Sequence, residues 1–274
     1  MGKRLFCEIS PVTYQISKTK SMCVRYAKWV FDGKHYAKQK RMDPLNHVIY
    51  KHASLIRRKL GDVDTTLQDN KAVNLKIATA KVNGILIEPG ETFSFWRLVG
   101  NPTEKKGYLD GLVLKSGQTD SAIGGGMCQF TNLIHWMILH SPLEITEHHH
   151  HDGYDLFPDY NRQIPFGTGT SVLYNYLDYQ FYNATPYTFQ MLVYTTGTHL
   201  HGELLCTHES DKCYHISEEN ACFTKEADGY YRHNVIVRTV QSKRSGTVIE
   251  REQMKVNRAK VMYDAAYINP AQLK

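Results

Sequence analysis

The sequence predicts a mixed α+β fold: a largely antiparallel β-sheet with a packed helix that carries a Gly-Gly-Gly-x-Cys-Gln motif. Three observations predict it. Cys128 to His140 has helical periodicity, with Phe130, Ile134, Met137 and Ile138 at i, i+4, i+7 and i+8, Leu133 beside them and Pro142 closing the run. Short alternating or β-favouring runs lie on both sides of it. A hydrophobic content of 42% and 18 tyrosines in 274 residues suit a folded chain long enough to bury a sizeable core.

Residues 1–67 read as a basic, mainly helical N-terminal segment, with helices expected over Cys23 to Val30 and Leu45 to Leu60 and Gly61 as a C-cap. Gln68 to Lys81 reads as a helix with Val73, Ile77 and Ala80 on one face, stopped by Asn83-Gly84. Ile85-Leu86-Ile87 reads as a buried strand, Glu88 to Glu91 as a turn and Thr92 to Trp96 as a second strand. Leu112-Val113-Leu114 and Gln118 to Ile123 form an expected hairpin that runs into Gly124-Gly125-Gly126. After the Cys128 helix, Leu143 to Glu147 alternates like a strand and leads into four histidines, His148 to His151, and Asp152. Ser171 to Phe181 and Thr188 to Thr195 read as long strands. Residues 206–274 read as a β-rich extension with strands at Tyr230 to Val240 and Thr247 to Val261.

The net charge of +6 conceals an asymmetry. Residues 1–60 hold 14 Lys/Arg against Glu8, Asp32 and Asp43, so the remainder is net negative. The basic stretch lacks a nucleic-acid motif, and Tyr26, Trp29, Phe31 and Tyr36 have the character of packing residues. A solvated basic face or a docking surface for anionic membrane or phosphate are the readings that fit it, and nucleic acid is not expected. No apolar stretch is long enough for a transmembrane helix. The basic start has no apolar run behind it, and the six cysteines form neither a CxxC pair nor a dense framework. Reduced thiols and a cytoplasmic location are therefore expected.

The chemistry concentrates at Gly124 to Gln129. Glycines let a backbone approach closely, and a cysteine in the first turn of a helix meets unpaired N–H groups and the helix dipole, which favour a thiolate. The alternative is a buried cysteine that starts a helix after a tight turn. As a nucleophile, Cys128 needs a base and oxyanion donors. Amides around Gly124, Gly125, Gly126, Met127 and Gln129 are candidates for the second role. Alternation past the strand puts His149 and His151 on one side and His148 and His150 on the other; His151, with His149 as alternate, is the candidate base, and Glu147 or Asp152 the group that orients it. Asn132 lies one turn beyond Cys128 on the same stripe and His135 two, and Asn132, Asp152, Gly167 and Thr168 are candidate substrate contacts. Cys128 with two histidines is also a known zinc set, although no HExxH spacing accompanies it.

Taken in order, Pro89-Gly90-Glu91-Thr92-Phe93-Ser94-Phe95, Gly107-Tyr108, Gly124 to Gln129, Pro165 to Val172 and Asn183-Ala184-Thr185 resemble the signature of the VanW domain, over 68–205. The family is named for an accessory protein encoded with type-B vancomycin resistance genes. The resemblance implies a link to cell-wall peptidoglycan and glycopeptide resistance. Extracytoplasmic members have been connected with L,D-transpeptidation by the motif cysteine, which implies Cys128 as nucleophile and a stem peptide or its cytoplasmic precursor as partner. A non-catalytic accessory protein that binds wall precursors or a partner protein is the alternative. Where many members read Glu-Arg-x-x-His-Ser, this chain matches only Glu147 and His151. Where many read Gly-x-Asp-Ala-Thr, Gly169 stands in place of the aspartate, which leaves Asp152 or Asp155 to substitute.

Overall fold

We analysed a computed structural model, which describes residues 5–57, 65–115, 118–150, 153–159, 162–174 and 176–274. The α+β reading holds. The chain begins with α1 (Pro11–Phe31), capped by Ser10, whose side chain accepts from the Thr13 amide, with Pro11 at the first helical position. Next come β1 (His35–Tyr36) and β2 (His47–Leu55), then α2 (Thr65–Val82), β3 (Ile85–Ile87), β4 (Glu91–Ser94) and α3 (Phe95–Val99). The hairpin of β5 (Asp110–Lys115) and β6 (Gln118–Ile123) leads into α4 (Met127–Leu139), β7 (Glu144–Glu147) and β8 (Tyr154–Asp155). Six strands remain: β9 (Gln180–Tyr182), β10 (Phe189–Thr195), β11 (His199–Cys206), β12 (Lys212–Glu226), β13 (Gly229–Ser242) and β14 (Val248–Val261).

These strands make three four-stranded sheets, in the orders β1-β4-β9-β7, β2-β11-β10-β3 and β12-β13-β14-β8. Only the short β1 and β8 pair in parallel; the other pairings are antiparallel. The core lies between the first two sheets and α2 and α4. Leu75, Ala78 and Val82 from α2 meet Phe130, Leu133, Ile134, Met137 and Ile138 from α4, together with Phe93, Phe181, Phe189, Met191, Leu200 and Leu204 from the strands. Each such side chain contributes about 2 kcal/mol by leaving water, so the apolar face of α4 fixes that helix on the sheet.

Three expectations are corrected. The helix expected over Leu45 to Leu60 is not formed by its described residues, 45–57; residues 58–60 and the expected C-cap Gly61 lie outside the described residues. Residues 47–55 form β2, paired with β11 from His47↔Cys206 to Leu55↔His199. Val48, Ile49 and Tyr50 are β-favouring, and the ladder satisfies a backbone that β11 would otherwise leave exposed. Ser171 to Phe181 is not one strand either, and only its end belongs to β9. Its polar groups and those just before it are committed sideways: Thr170 to Asn132 of α4, Ser171 to the His149 carbonyl, and Asp178 to Ser94 and the Trp96 amide, while Leu173 and Leu177 bridge across a tight turn. The strand expected over Thr92 to Trp96 stops at Ser94, whose hydroxyl accepts from the Arg97 amide and caps α3. β11 and the 15-residue β12 have no counterpart in the sequence reading.

The outer segments are tied into this frame by polar contacts. Arg25 of α1 reaches Glu147 of β7, and β2 supplies the edge of the second sheet. The third sheet holds the loop between β8 and β9 through Arg232, which pairs with Asp159 at 2.6 Å and Asp155 at 3.4 Å and lies over the Phe166 ring. Asn234 donates to the Phe166 carbonyl at 2.8 Å.

At Gly202 of β11, α4 packs directly on the sheet. A Cβ there would meet Met137 Cε at 2.7 Å and Leu133 Cδ2 at 2.8 Å. Gly202→Val is expected to cost roughly 1–3 kcal/mol by overpacking. Gly197→Ala, with nothing within 4 Å, is expected to stay within about 0.5 kcal/mol. Urea unfolding of the two variants checks the contrast.

Candidate active site

The glycine run positions Cys128 by close packing. Gly124 and Gly126 have φ of 80° and 106°, in the left-handed region. Gly125 lies on the backbone of Gly111 in β5, where an added Cβ would stand 2.2 Å from the Gly111 carbonyl carbon. Asn74 of α2, fully buried, donates to the carbonyls of Gly125 and Leu109, both at 2.9 Å, and accepts from the Leu109 amide at 2.8 Å. Gln129 is held from the other side, its amide donating to Ser54 Oγ at 2.7 Å and to the Leu55 carbonyl at 2.9 Å. Met127 is buried and opens α4, with Gly126 as its N-cap.

Cys128 is the second residue of α4 and packs against the core. Burial pushes its thiol above the ordinary value, against the opposing pull of the Val172 and Cys128 backbone. At this helix start the burial that raises the thiol opposes the dipole that would lower it. The segment that supplies Val172 is fastened to the same turn. Asn132 Oδ1 accepts from the Thr170 amide at 2.6 Å and from Thr170 Oγ1 at 2.8 Å, and the Thr131 and Thr170 hydroxyls are hydrogen-bonded to each other.

The histidine run divides as its alternation predicts, so far as it is described. His149 Nε2 lies 3.0 Å from Glu147 Oε1, which forms the expected imidazole–carboxylate pair. His148 and His150 turn the other way. Their rings lie 3.9 Å apart, and His148 is 4.1 Å from His135. His151 and Asp152 lie outside the described residues. The Ser171 amide donates to the His149 carbonyl at 2.7 Å. The segment that Asn132 fastens to α4 through Thr170 thus also holds the histidine run.

Glu147 is the electrostatic hub. Arg25 approaches it with both terminal nitrogens, at 2.7 and 2.6 Å, and also donates to the Tyr176 carbonyl. Burial alone would raise the Glu147 carboxyl. Hydrogen bonds from Arg25, His149 and the Asp178 amide, with the Arg25 charge, bring it down to about 2 instead. Next to it the fully buried Asp178 accepts from Ser94 Oγ, the Trp96 and Tyr179 amides and Gln180 Nε2. Arg25 and Asp178 escaped the sequence reading because both are remote in sequence from the motif. The visible signal was one acidic residue in an aromatic stretch.

His135 resolves as a buried histidine with a partner, its Nδ1 lying 3.0 Å from the Tyr179 hydroxyl. Burial, reinforced by His148, His150 and Lys255, holds it well below the ordinary imidazole value. These histidines line a cavity of about 130 Å³ with Thr168, Gly167 and Lys255. Gly167 has a φ of 84° and lies against Asn257, and Thr168 Oγ1 donates to the Pro165 carbonyl at 2.8 Å. Seven helical residues separate Cys128 from His135, about 10 Å along the axis, so the two do not form a hydrogen-bonded pair. Among the described residues no group of three His, Cys, Asp or Glu side chains is placed to hold a metal ion. A Cβ at Gly169 would meet Asn132 Oδ1 at 3.7 Å, an ordinary contact, so space alone does not require a glycine there.

Residues 70–205 match the family model described as VanW like protein, and the match spans the glycine loop, α4, the histidine run and the Thr170 segment. The chain belongs to the VanW family. It is 28% identical over 263 residues to the vancomycin B-type resistance protein VanW of Enterococcus faecalis, an alignment that covers 96% of this chain and 95% of that one. A shorter similarity, 25% over 117 residues, covers 42% of the chain and 36% of the uncharacterized protein YoaR of Bacillus subtilis. No solved structure matches. The buried acid beside the site is Asp178, already saturated with donors.

The Glu147 cluster gives a pH prediction. Its carboxyl falls from an ordinary value near 4.5 to about 2 in the folded protein. Its contribution is therefore complete above pH 4.5 and is lost as pH falls towards 2, on the order of 3 kcal/mol. Glu147→Gln is expected to lower stability at pH 7 and to flatten the pH dependence between 5 and 2 in chemical denaturation. An acid limb as steep as that of the parent protein would contradict the assignment.

Proposed function

We propose that the protein acts in glycopeptide resistance, as its Enterococcus relative is named to do, by cysteine-dependent acyl transfer on peptides of the cell-wall type. The observation that supports this reading is the placement of Cys128 in the first turn of α4, held there by the Gly125–Gly111 contact and by Gln129. Unpaired amides at a helix start are suited to face the oxygen of a carbonyl bonded to a sulfur placed there. In the proposed reaction the thiol proton passes to a base and Sγ bonds to the carbonyl carbon. The tetrahedral intermediate then expels the amine, which takes up the proton. An acceptor amine or water next attacks the thioester and restores the thiol. His149, oriented by Glu147, is the described histidine suited to be the base.

The raised thiol favours a second reading, an accessory protein that binds a wall precursor without reacting. One experiment separates the two. On incubation with a muramyl-type pentapeptide, the acyl-transfer reading predicts an intact-mass increase equal to the acyl fragment, mapped to Cys128 and absent in Cys128→Ala. Peptide binding with no adduct, together with full resistance in cells that carry Cys128→Ala, would overturn acyl transfer in favour of the accessory role.

A further inference from the structure

α1 exposes an apolar face that its own fold leaves uncovered. Only Arg25 and Trp29 of its 21 residues are buried. At 3.6 residues per turn, Val12, Ile16, Cys23, Ala27 and Val30 fall within an arc of about 60°, opposite Arg25 and Trp29. Val12 is 66% exposed, Val30 70% and Phe31, at the helix end, 83%. Leu5, Phe6 and Ile9, in the turn that precedes the helix, are exposed as well. Isolated exposed hydrophobics need no explanation, but a continuous stripe along one helix does.

The charges around the stripe select its occupant. α1 holds Lys18, Lys20, Arg25 and Lys28 and no acidic residue. Lys20 and Lys28 flank the stripe on its Phe31 side and are exposed. The acids at the two ends face local donors: Glu8 accepts from the Leu5 amide, and Asp32 from Tyr36 Oη at 2.6 Å and the Lys34 amide. Arg25 is neutralised inward by Glu147. A second copy of the chain packed on this face would set lysines against lysines, whereas an anionic lipid surface meets both the apolar stripe and its basic border. No helix among the described residues is long and apolar enough to cross a membrane. An amphipathic helix lying in the interfacial plane needs no such span.

We propose that the outer face of α1 docks the protein peripherally on an anionic phospholipid bilayer, with Val12, Ile16, Val30 and Phe31 inserted among the headgroups. This inference is independent of any reaction at Cys128. Co-sedimentation of the full chain with vesicles of phosphatidylcholine alone, and of phosphatidylcholine mixed with phosphatidylglycerol, tests it. Binding is expected only to the mixed vesicles and should weaken as salt is raised. Because each basic residue near such a surface is worth about fivefold in affinity, Lys20→Glu/Lys28→Glu should lose roughly twentyfold or more. Ile16→Glu/Val30→Glu should lose at least as much through the apolar face, with circular dichroism unchanged because both positions are exposed. Binding that ignores phosphatidylglycerol, or that neither double variant weakens, would overturn the proposal. So would a concentration-dependent dimer that Ile16→Glu/Val30→Glu dissolves in a chain that leaves vesicles in solution, which would assign the face to a second copy.

Discussion

The contact on which the site depends is backbone against backbone, Gly125 on Gly111. It lets the β5–β6 hairpin end directly under α4 and sets where that helix begins. Asn74 adds hydrogen bonds to both sides of the junction, and Gln129 ties the first turn of α4 to β2. Cys128 is thus fixed by groups on α2, β2 and β5 before any catalytic argument is made. The same close packing surrounds the sulfur and raises its thiol. Precise placement and desolvation have a single cause.

A second constraint links the outer segments to the site. Arg25 from α1 and His149 from the histidine run meet on Glu147, and the amide of Asp178 completes its coordination. A carboxylate held by an arginine remains ionised across the physiological range and fixes the ring beside it. If α1 rests on a lipid surface, this pair is the route by which that contact reaches the histidine run. On the opposite side the third sheet closes the cavity of His135, His148 and His150 with Ile236, Met254 and Lys255. Both segments outside the VanW match therefore contribute side chains around it.

Where one face was apolar and periodic, the sequence was legible. The α4 stripe, the hairpin into the glycines and the strands β13 and β14 were predictable on that ground; α2 forms as expected but buries Asn74, Leu75, Ala78 and Val82, while Val73 and Ala80 of the expected face are exposed. Pairing of distant segments was not. Residues 47–55 have no period that betrays a sheet edge, and they become β2 because β11 needs a neighbour. The segment 171–179 has strand-like composition, yet it is held irregular by Asn132, Asp178 and the Leu173–Leu177 bridge, none of which leaves a local pattern. At the site, the Glu147–His149 pair follows from alternation past a strand. The raised thiol does not, because the dipole of a helix start is visible in sequence and the burial that overrides it is not.

The account rests on a Cys128 that is precisely placed and protonated at rest. Its most direct test is the rate at which iodoacetamide alkylates each cysteine of the native protein as a function of pH, read by peptide mapping. The account predicts that Cys128 lags behind the exposed Cys23 at neutral pH and accelerates only above the ordinary thiol range. Labelling of Cys128 ahead of Cys23 at pH 7, with a plateau already reached there, would contradict it.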